Sequence, residues 1–298
     1  MIRETPRDFL DILKSYVPET GRPVGTLREE FSEFFAEFQS EERPSVEPVL
    51  IREGLRGVWC TVPESQPDRT LLFFHGGEFS MGSTADHLGF CAELARAGQA
   101  RLFSVDYRLA PEQAFPAQAE DALAAYRYLL SHGNLPHRII PVGISAGATL
   151  VLDLLLMLRD QHLPMPPAAV CMSPIVDMKF GGESVVANQN TDWMTPARLA
   201  ALREAYLGGH APPDDPLASP VNAQLSGLPP LYLQTGTGEL LYDDISAFAK
   251  KIKWAGVPVR FEIWEGMFHY WQIFGRQIPE ARGAVSHIGA FVRDIFDR

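Results

Sequence analysis

A serine between glycines, Gly143-Ile144-Ser145-Ala146-Gly147, is the stretch best able to do chemistry. The apolar run before it, Arg138-Ile139-Ile140-Pro141-Val142, reads as a buried strand, and residues 148–158 after it read as a buried helix. Between a strand and a helix, G-x-S-x-G is a sharp turn that holds the serine hydroxyl out as a nucleophile. The glycines have a physical role, because such a turn leaves no room for side chains beside the nucleophile. Acyl transfer by this serine needs N–H donors already aimed at the developing oxyanion. His75-Gly76-Gly77 follows a second apolar run, residues 70–74, and glycines there let the backbone close on a substrate. The amides of Gly76, Gly77 and Ala146 are the expected donors, although a Gly-Gly pair also suits an ordinary turn.

A base and an acid must complete the set. Chains with a nucleophile on this kind of turn run serine, acid, histidine. Of the eight histidines, His269 follows the last strand pattern at loop distance, in Glu265-Gly266-Met267-Phe268-His269-Tyr270-Trp271. His75, His87, His132, His137, His162 and His210 come before the acid region, and His287 falls inside the closing helix. The acid belongs just after the penultimate strand, where Glu239, Asp243 and Asp244 stand. Glu239 lies in the loop leaving that strand. Asp243 opens the next helix, where a carboxylate serves as an N-terminal cap. The expected set is Ser145 as nucleophile, His269 as general base and Glu239 as the acid that orients it. It would work through an acyl-enzyme with no metal and no cofactor.

These residues need elements to position them. Residues 57–62, 70–74, 101–105, 138–142, 168–172, 231–234 and 259–263 read as strands. Helical patterns fall near 86–97, 117–131, 148–158, 243–255 and from 280 onward. Strands alternating with helices imply an α/β fold: a mostly parallel sheet covered on both faces, with the ligand site beyond the strand ends. Residues 178–227 interrupt the alternation with a polar, Pro- and Gly-bearing segment containing one helix near 196–207, too long for a plain loop. Residues 7–40 read as amphipathic helix, with Phe31, Phe34, Phe35 and Phe38 on one face. The expectation is one domain over 1–298, with a cap from 1–45 and 178–227. The N-terminal apolar face serves either as a lid or as plain packing. Phe79, Trp193, Phe268 and Trp271 are candidate pocket walls or plain core.

Composition bounds the function. The chain has 298 residues, 46% hydrophobic and 21% charged, which suits a globular enzyme with a large core. Twenty-six basic against 37 acidic residues give a charge of −11, which argues against nucleic acid or an anionic membrane as partner. Cys60, Cys91 and Cys171 are too far apart in sequence for a metal motif or a disulfide framework, so a reducing cytoplasm is expected. The N-terminus shows no apolar signal core, and no apolar run reaches membrane length. The expected partner is a small-molecule ester; a homodimer stays open.

The chain resembles the hormone-sensitive-lipase-like family of α/β-hydrolase esterases. Three stretches carry the likeness: His75-Gly76-Gly77, the Ser145 pentapeptide, and Asp106-Tyr107-Arg108-Leu109-Ala110-Pro111-Glu112 with Phe115-Pro116-Ala117. Glu265-Gly266-Met267 before His269 is also similar. The resemblance implies the α/β-hydrolase fold, a helical cap, ester hydrolysis, and a structural role for Arg108 and Glu112. Glu78 stands where the family often has a third glycine, Ile144 where it often has Asp, and Ala148 where it often has Gly. Glu239 aligns with an acid that is often Asp. Glu78 would oppose an oxyanion, so its side chain is expected to turn away toward solvent or a basic partner. The reading is a serine carboxylesterase acting on small, short-acyl esters. The same triad would serve a deacetylase, amidase or lactonase. A non-catalytic receptor like the gibberellin receptors of this fold lacks the histidine that this chain keeps as His269.

Overall fold

The computed structural model describes residues 5–16, 22–40 and 43–298. Its first helices are α1 (Pro6–Ser15) and α2 (Val24–Ala36). Three strands follow, β1 (Ser45–Arg52), β2 (Leu55–Thr61) and β3 (Gln66–Phe74). Then come α3 (Leu88–Gly98), β4 (Ala100–Asp106), α4 (Ala117–Ser131), β5 (Ile139–Ile144) and α5 (Ala146–Asp160). Strand β6 (Ala169–Met172) leads into a segment holding α6 (Ser184–Ala187) and α7 (Pro196–Leu207). The chain closes with β7 (Leu231–Gly236), α8 (Tyr242–Trp254), β8 (Val259–Trp264) and α9 (Pro279–Phe296).

The strands form one eight-stranded sheet in the order β1-β2-β4-β3-β5-β6-β7-β8. β1 to β2 and β2 to β4 pair antiparallel, and every other neighbour pairs parallel. Helices cover both faces of a parallel sheet, so its central strands lose the polar-apolar alternation of a half-exposed strand. β5 is buried at every position, and so are β6 and β7. Helix α5 seats Leu150, Leu152, Leu154, Leu155, Leu156 and Leu158 in the core. Each fully buried leucine contributes about 1.5–3 kcal/mol of transfer free energy. That packing anchors the turn at the helix start.

The strand and helix alternation agrees with the sequence reading from residue 55 onward. Strand β1 was not expected. It is a mostly exposed edge with Pro48 inside it, which an edge strand tolerates because no ladder N–H is lost toward a second neighbour. The helical reading of residues 7–40 resolves into α1 and α2. The part over 17–21, the N-terminal residues 1–4 judged for a signal core, and positions 41–42 of the expected cap lie outside the described residues. Phe9 of α1 packs on Phe38, Phe268 and Phe274, and Phe35 of α2 packs on Trp193, Tyr270 and Phe274. Arg28 ties α2 to the Asp106–Ala117 motif: it donates to both Glu112 carboxylate oxygens at 2.8 and 2.7 Å, and to the carbonyls of Ser80 and Ala110. Arg108 of that motif is spent on Asp121, Glu120 and the Ala117 carbonyl. No described helix is long and apolar enough to cross a membrane.

Candidate active site

Ser145 sits between β5 and α5 with φ 54° and ψ −123°, a strained positive-φ conformation that a serine holds only when its surroundings impose it. The two flanking glycines explain how the chain reaches it. A Cβ on Gly143 would stand 2.2 Å from the Gly147 carbonyl oxygen, and one on Gly147 would stand 2.0 Å from the Phe74 carbonyl oxygen. No other residue fits either place. The Ser145 amide is fixed by the Met172 carbonyl of neighbouring β6 at 2.8 Å.

The Ser145 hydroxyl donates to His269 Nε2 over 2.8 Å, and His269 Nδ1 donates to Glu239 Oε2 over 3.0 Å. All three side chains are buried. The second oxygen of Glu239 accepts from Gly236 N at 2.6 Å, Ser173 Oγ at 2.8 Å and Thr235 Oγ1 at 3.2 Å. Burial alone would lower the His269 pKa. The Glu239 hydrogen bond and charge, helped by the charges of Asp192 and Glu78, outweigh it and hold the imidazole above its ordinary value. The arrangement can take a proton from Ser145 and stabilise the imidazolium that results.

Asp243 takes another part. It lies inside the first turn of α8, where Leu241 holds the cap position without a side-chain bond. Its Oδ2 accepts from the Ser184 amide at 2.7 Å instead, and the Asp243 amide donates to Ser184 Oγ at 3.1 Å. The expected self-capping of α8 by Asp243 is therefore replaced by a bond between α8 and α6. Asp244 is a partly buried carboxyl whose pKa is pushed up to about 6 by burial and by the nearby Asp177 and Asp243 charges.

The oxyanion side differs from expectation at one glycine. Gly76 lies against Tyr270, whose hydroxyl burial pushes far up in pKa. A Cβ on Gly76 would stand 2.3 Å from the Tyr270 ring. The same hydroxyl donates to His87 Nε2, whose Nδ1 donates to the Ser83 carbonyl at 2.8 Å. His75 Nδ1 bonds the Gly76 carbonyl at 2.7 Å and stacks on Tyr107. Burial keeps both histidines neutral, His87 with a pKa near 4. Gly77 and Glu78, not Gly76, line the cavity above Ser145. Both have positive φ, 118° and 58°, and among the described residues no carbonyl accepts either N–H. Ala146 is the first residue of α5, so its N–H has no acceptor inside the helix. The Glu78 carboxylate is taken by Arg198 Nε of α7, an ion pair whose side chains are 12% and 6% exposed. This is the basic partner expected for it. The Arg198 guanidinium also lies over the Trp193 ring at 4.7 Å.

The cavity is small, about 10 Å³, and is walled by Phe31, Trp193, Met194 and Tyr270 with Gly77, Glu78, Ser145 and His269. Of the four candidate wall aromatics, Trp193 is in place. Phe79 is core, stacked on Tyr206 at 3.7 Å. Phe268 packs between Phe9 and Phe274, and Trp271 packs on Trp264, so both also leave the lining. The sequence had pointed to neither Met194 nor Tyr270 as a wall and had left the Phe31 face between lid and plain packing, since their approach depends on tertiary packing. Ile144 and Ala148, the other departures from the family pattern, are fully buried.

One buried residue was not singled out in the sequence. Asp192, in the segment between α6 and α7, directs both carboxylate oxygens at backbone amides. Oδ1 accepts from Trp193 at 2.8 Å and His269 at 3.0 Å, with Met194 at 3.4 Å, and Oδ2 accepts from Leu240 at 2.8 Å. Among the described residues no cluster of three or more His, Cys, Asp or Glu could hold a metal ion.

A family model described as the alpha/beta hydrolase fold matches residues 71–273. An acetyl-hydrolase of Streptomyces hygroscopicus is 43% identical over 232 residues, which span 78% of this chain and 77% of that protein. An esterase of Acinetobacter venetianus is 36% identical over 257 residues, spanning 85% and 84%. Among solved structures, an esterase from the bacterial hormone-sensitive lipase family superposes with a TM-score of 0.93 at 36% identity, over 99% of this chain and 100% of that one. EstE5, in crystals soaked by p-nitrophenyl butyrate, gives a TM-score of 0.92 at 36% identity, over 98% and 99%.

Proposed function

Because the chain belongs to the hormone-sensitive-lipase-like family of α/β-hydrolase esterases, we propose that Ser145, His269 and Glu239 carry its carboxylesterase chemistry, on small esters with short acyl groups. One observation carries the assignment: the unbroken line of hydrogen bonds from the Ser145 hydroxyl through His269 to Glu239. His269 Nε2 takes the hydroxyl proton as Ser145 Oγ attacks the ester carbonyl. The carbonyl oxygen becomes an oxyanion beside the N–H groups of Gly77, Glu78 and Ala146. The imidazolium then gives its proton to the leaving alcohol, and the acyl group stays on Ser145. A water repeats the sequence, losing a proton to His269 and releasing the acid, after which Ser145 recovers its proton.

The small cavity supports the short-acyl reading. So does its roof: α1, α2 and residues 178–227 act as the cap, and Phe31 of α2 with Trp193 and Met194 of the insertion close over Ser145. An acetyl or butyryl group asks for a modest displacement of these side chains, whereas a palmitoyl chain asks for removal of the roof. Turnover of p-nitrophenyl acetate, butyrate and palmitate by the purified protein tests this. Acetate or butyrate should be the best substrate, and best turnover of palmitate would refute the assignment. The acetyl-hydrolase relative gives one reason to add acetylated amines to the same series, since the triad can also cleave an amide.

A further inference from the structure

The inserted segment between β6 and β7 does more than cover the site: its residues 188–193 hold the loops that carry the acid and the base. Asn188 Nδ2 donates to the carbonyls of Thr237 at 2.9 Å and Glu239 at 2.8 Å. Thr191 Oγ1 donates to the Gly238 carbonyl at 3.1 Å. The backbone of His269 is gripped at both ends by neighbouring residues of the insertion. Its N–H goes to Asp192 Oδ1 at 3.0 Å, and its carbonyl accepts Trp193 Nε1 at 2.6 Å. The other Asp192 oxygen takes the amide of Leu240, the residue after Glu239. One carboxylate thus joins the acid turn to the base turn at their backbones, while the side chains of Glu239 and His269 meet in front of it.

We propose that Asp192 is a positioning residue for the hydrolysis assigned above, fixing His269 against Glu239 and adding a second negative charge behind the imidazolium. The proposal rests on the triad reading. Its chemical basis is that a carboxylate can accept at both oxygens, whereas the equal-sized amide of asparagine has one acceptor and one donor. In Asp192→Asn one end of the side chain must present NH₂ to a buried backbone N–H, either that of Leu240 or that of His269. Such a donor facing a donor forces one of the two turns to shift. A shift of the reacting groups by about 1 Å can cost about 10²-fold in rate.

Charge supplies a readout that packing alone would not move. The titratable groups acting on Asp192 are His269, on the turn after β8, and Glu239, on the turn after β7. Those acting on His269 are Glu239, Asp192 and, from the turn after β3, Glu78. Burial and the Glu239 charge push Asp192 up to about 6, so it is largely ionised above neutrality. The Asp192 charge raises the His269 pKa. Loss of that charge lowers it, so the acid limb of kcat/KM should move to lower pH.

The experiment compares wild type, Asp192→Asn, Asn188→Ala and Ser145→Ala. It reads kcat and KM on p-nitrophenyl butyrate, the pH profile of kcat/KM, thermal melting, and the rate at which a fluorophosphonate labels Ser145. The expected Asp192→Asn protein melts cooperatively, loses about 10²-fold in kcat with KM little changed, and shows its acid limb at lower pH. Asn188→Ala removes two bonds on the acid turn without removing charge, so its kcat should fall while its acid limb stays. Wild-type kcat and an unmoved limb in a folded Asp192→Asn protein would overturn the proposal. So would a kcat loss with no shift of the limb. If Asp192→Asn does not fold, wild-type kcat in Asn188→Ala overturns the claim that this segment sets the acid and base. Should wild type fail to hydrolyse esters, the esterase reading falls separately. The labelling rate then decides, with slower labelling of Asp192→Asn supporting the positioning role and equal labelling refuting it.

Discussion

Replacing Glu239 with glutamine isolates the acid of the triad, because the structure says which way the new amide must turn. Glu239 Oε1 faces three donors, Gly236 N, Ser173 Oγ and Thr235 Oγ1, while Oε2 faces one, His269 Nδ1. A glutamine keeps one acceptor. Placing its NH₂ toward the three donors would leave a buried N–H and two hydroxyls without their acceptor, at about 1–3 kcal/mol for each group that finds no other partner. Placing it toward His269 sacrifices one bond. The second orientation wins, and it presents a donor to Nδ1. His269 answers by carrying its proton on Nε2, the tautomer that cannot accept from Ser145. The corresponding carboxylate-to-amide change in a Ser-His-Asp triad costs about 10⁴ in kcat, or about 5.5 kcal/mol of barrier. Glu239→Gln should therefore lose about 10³–10⁴-fold in kcat on p-nitrophenyl butyrate. Asp243→Asn should stay near wild type, because an asparagine oxygen can still accept the Ser184 amide. A Glu239→Gln protein within about tenfold of wild type, a loss of about 1.4 kcal/mol, beside a collapsed Asp243→Asn, would refute the assignment.

Three further outcomes follow from the same geometry. His269 must be neutral to act as base, and its pKa is held above its ordinary 6.5, so kcat/KM should fall as pH drops with a midpoint above that value; a midpoint well below it would contradict the Glu239 contact. Arg198→Met should destabilise the fold by about 3–5 kcal/mol in urea unfolding, because it leaves Glu78 buried and unpaired, and Glu78→Gln added to it should recover most of that loss; a loss under about 1 kcal/mol would show the pair behaves as an exposed one. Phe31→Ala should open the wall above Ser145 and raise turnover of p-nitrophenyl hexanoate relative to acetate, at about 3–5 kcal/mol of stability; an unchanged acyl preference would take α2 out of the pocket.

The legible parts of the sequence were those with local signals or an ordering rule. Ser145 announces itself through two glycines that nothing else can replace, between an apolar strand and an apolar helix. His269 and Glu239 lie 124 and 94 residues from Ser145 in numbering, yet chain order together with place in a loop rather than a helix points to one of eight histidines and one acid among Glu239, Asp243 and Asp244. What stayed hidden depends on contacts without a local pattern. Asp192 meets partners 48 and 77 residues away, and a single Asp in a polar segment looks like any other. Phe31 and Phe79 are both phenylalanines near motif or helix, and tertiary packing separates them: α2 brings the first to the cavity, and a stack on Tyr206 of α7 makes the second core. That Gly76 stays off the cavity lining was hidden because it packs on Tyr270, which reaches it from the far end of the chain. Strand β1 escaped notice because an exposed edge carrying a proline shows no buried run.

Steady-state turnover by Ser145→Ala tests the central claim most directly, since the variant removes one oxygen from a buried site and leaves both glycines and every backbone bond of the turn in place. Purified Ser145→Ala, melting like wild type, should show p-nitrophenyl butyrate hydrolysis reduced by about 10⁶-fold, with at most the residual catalysis that an oxyanion site and binding alone provide. Turnover near that of wild type would mean that some other group attacks the ester, and the account built on Ser145, His269 and Glu239 would be wrong.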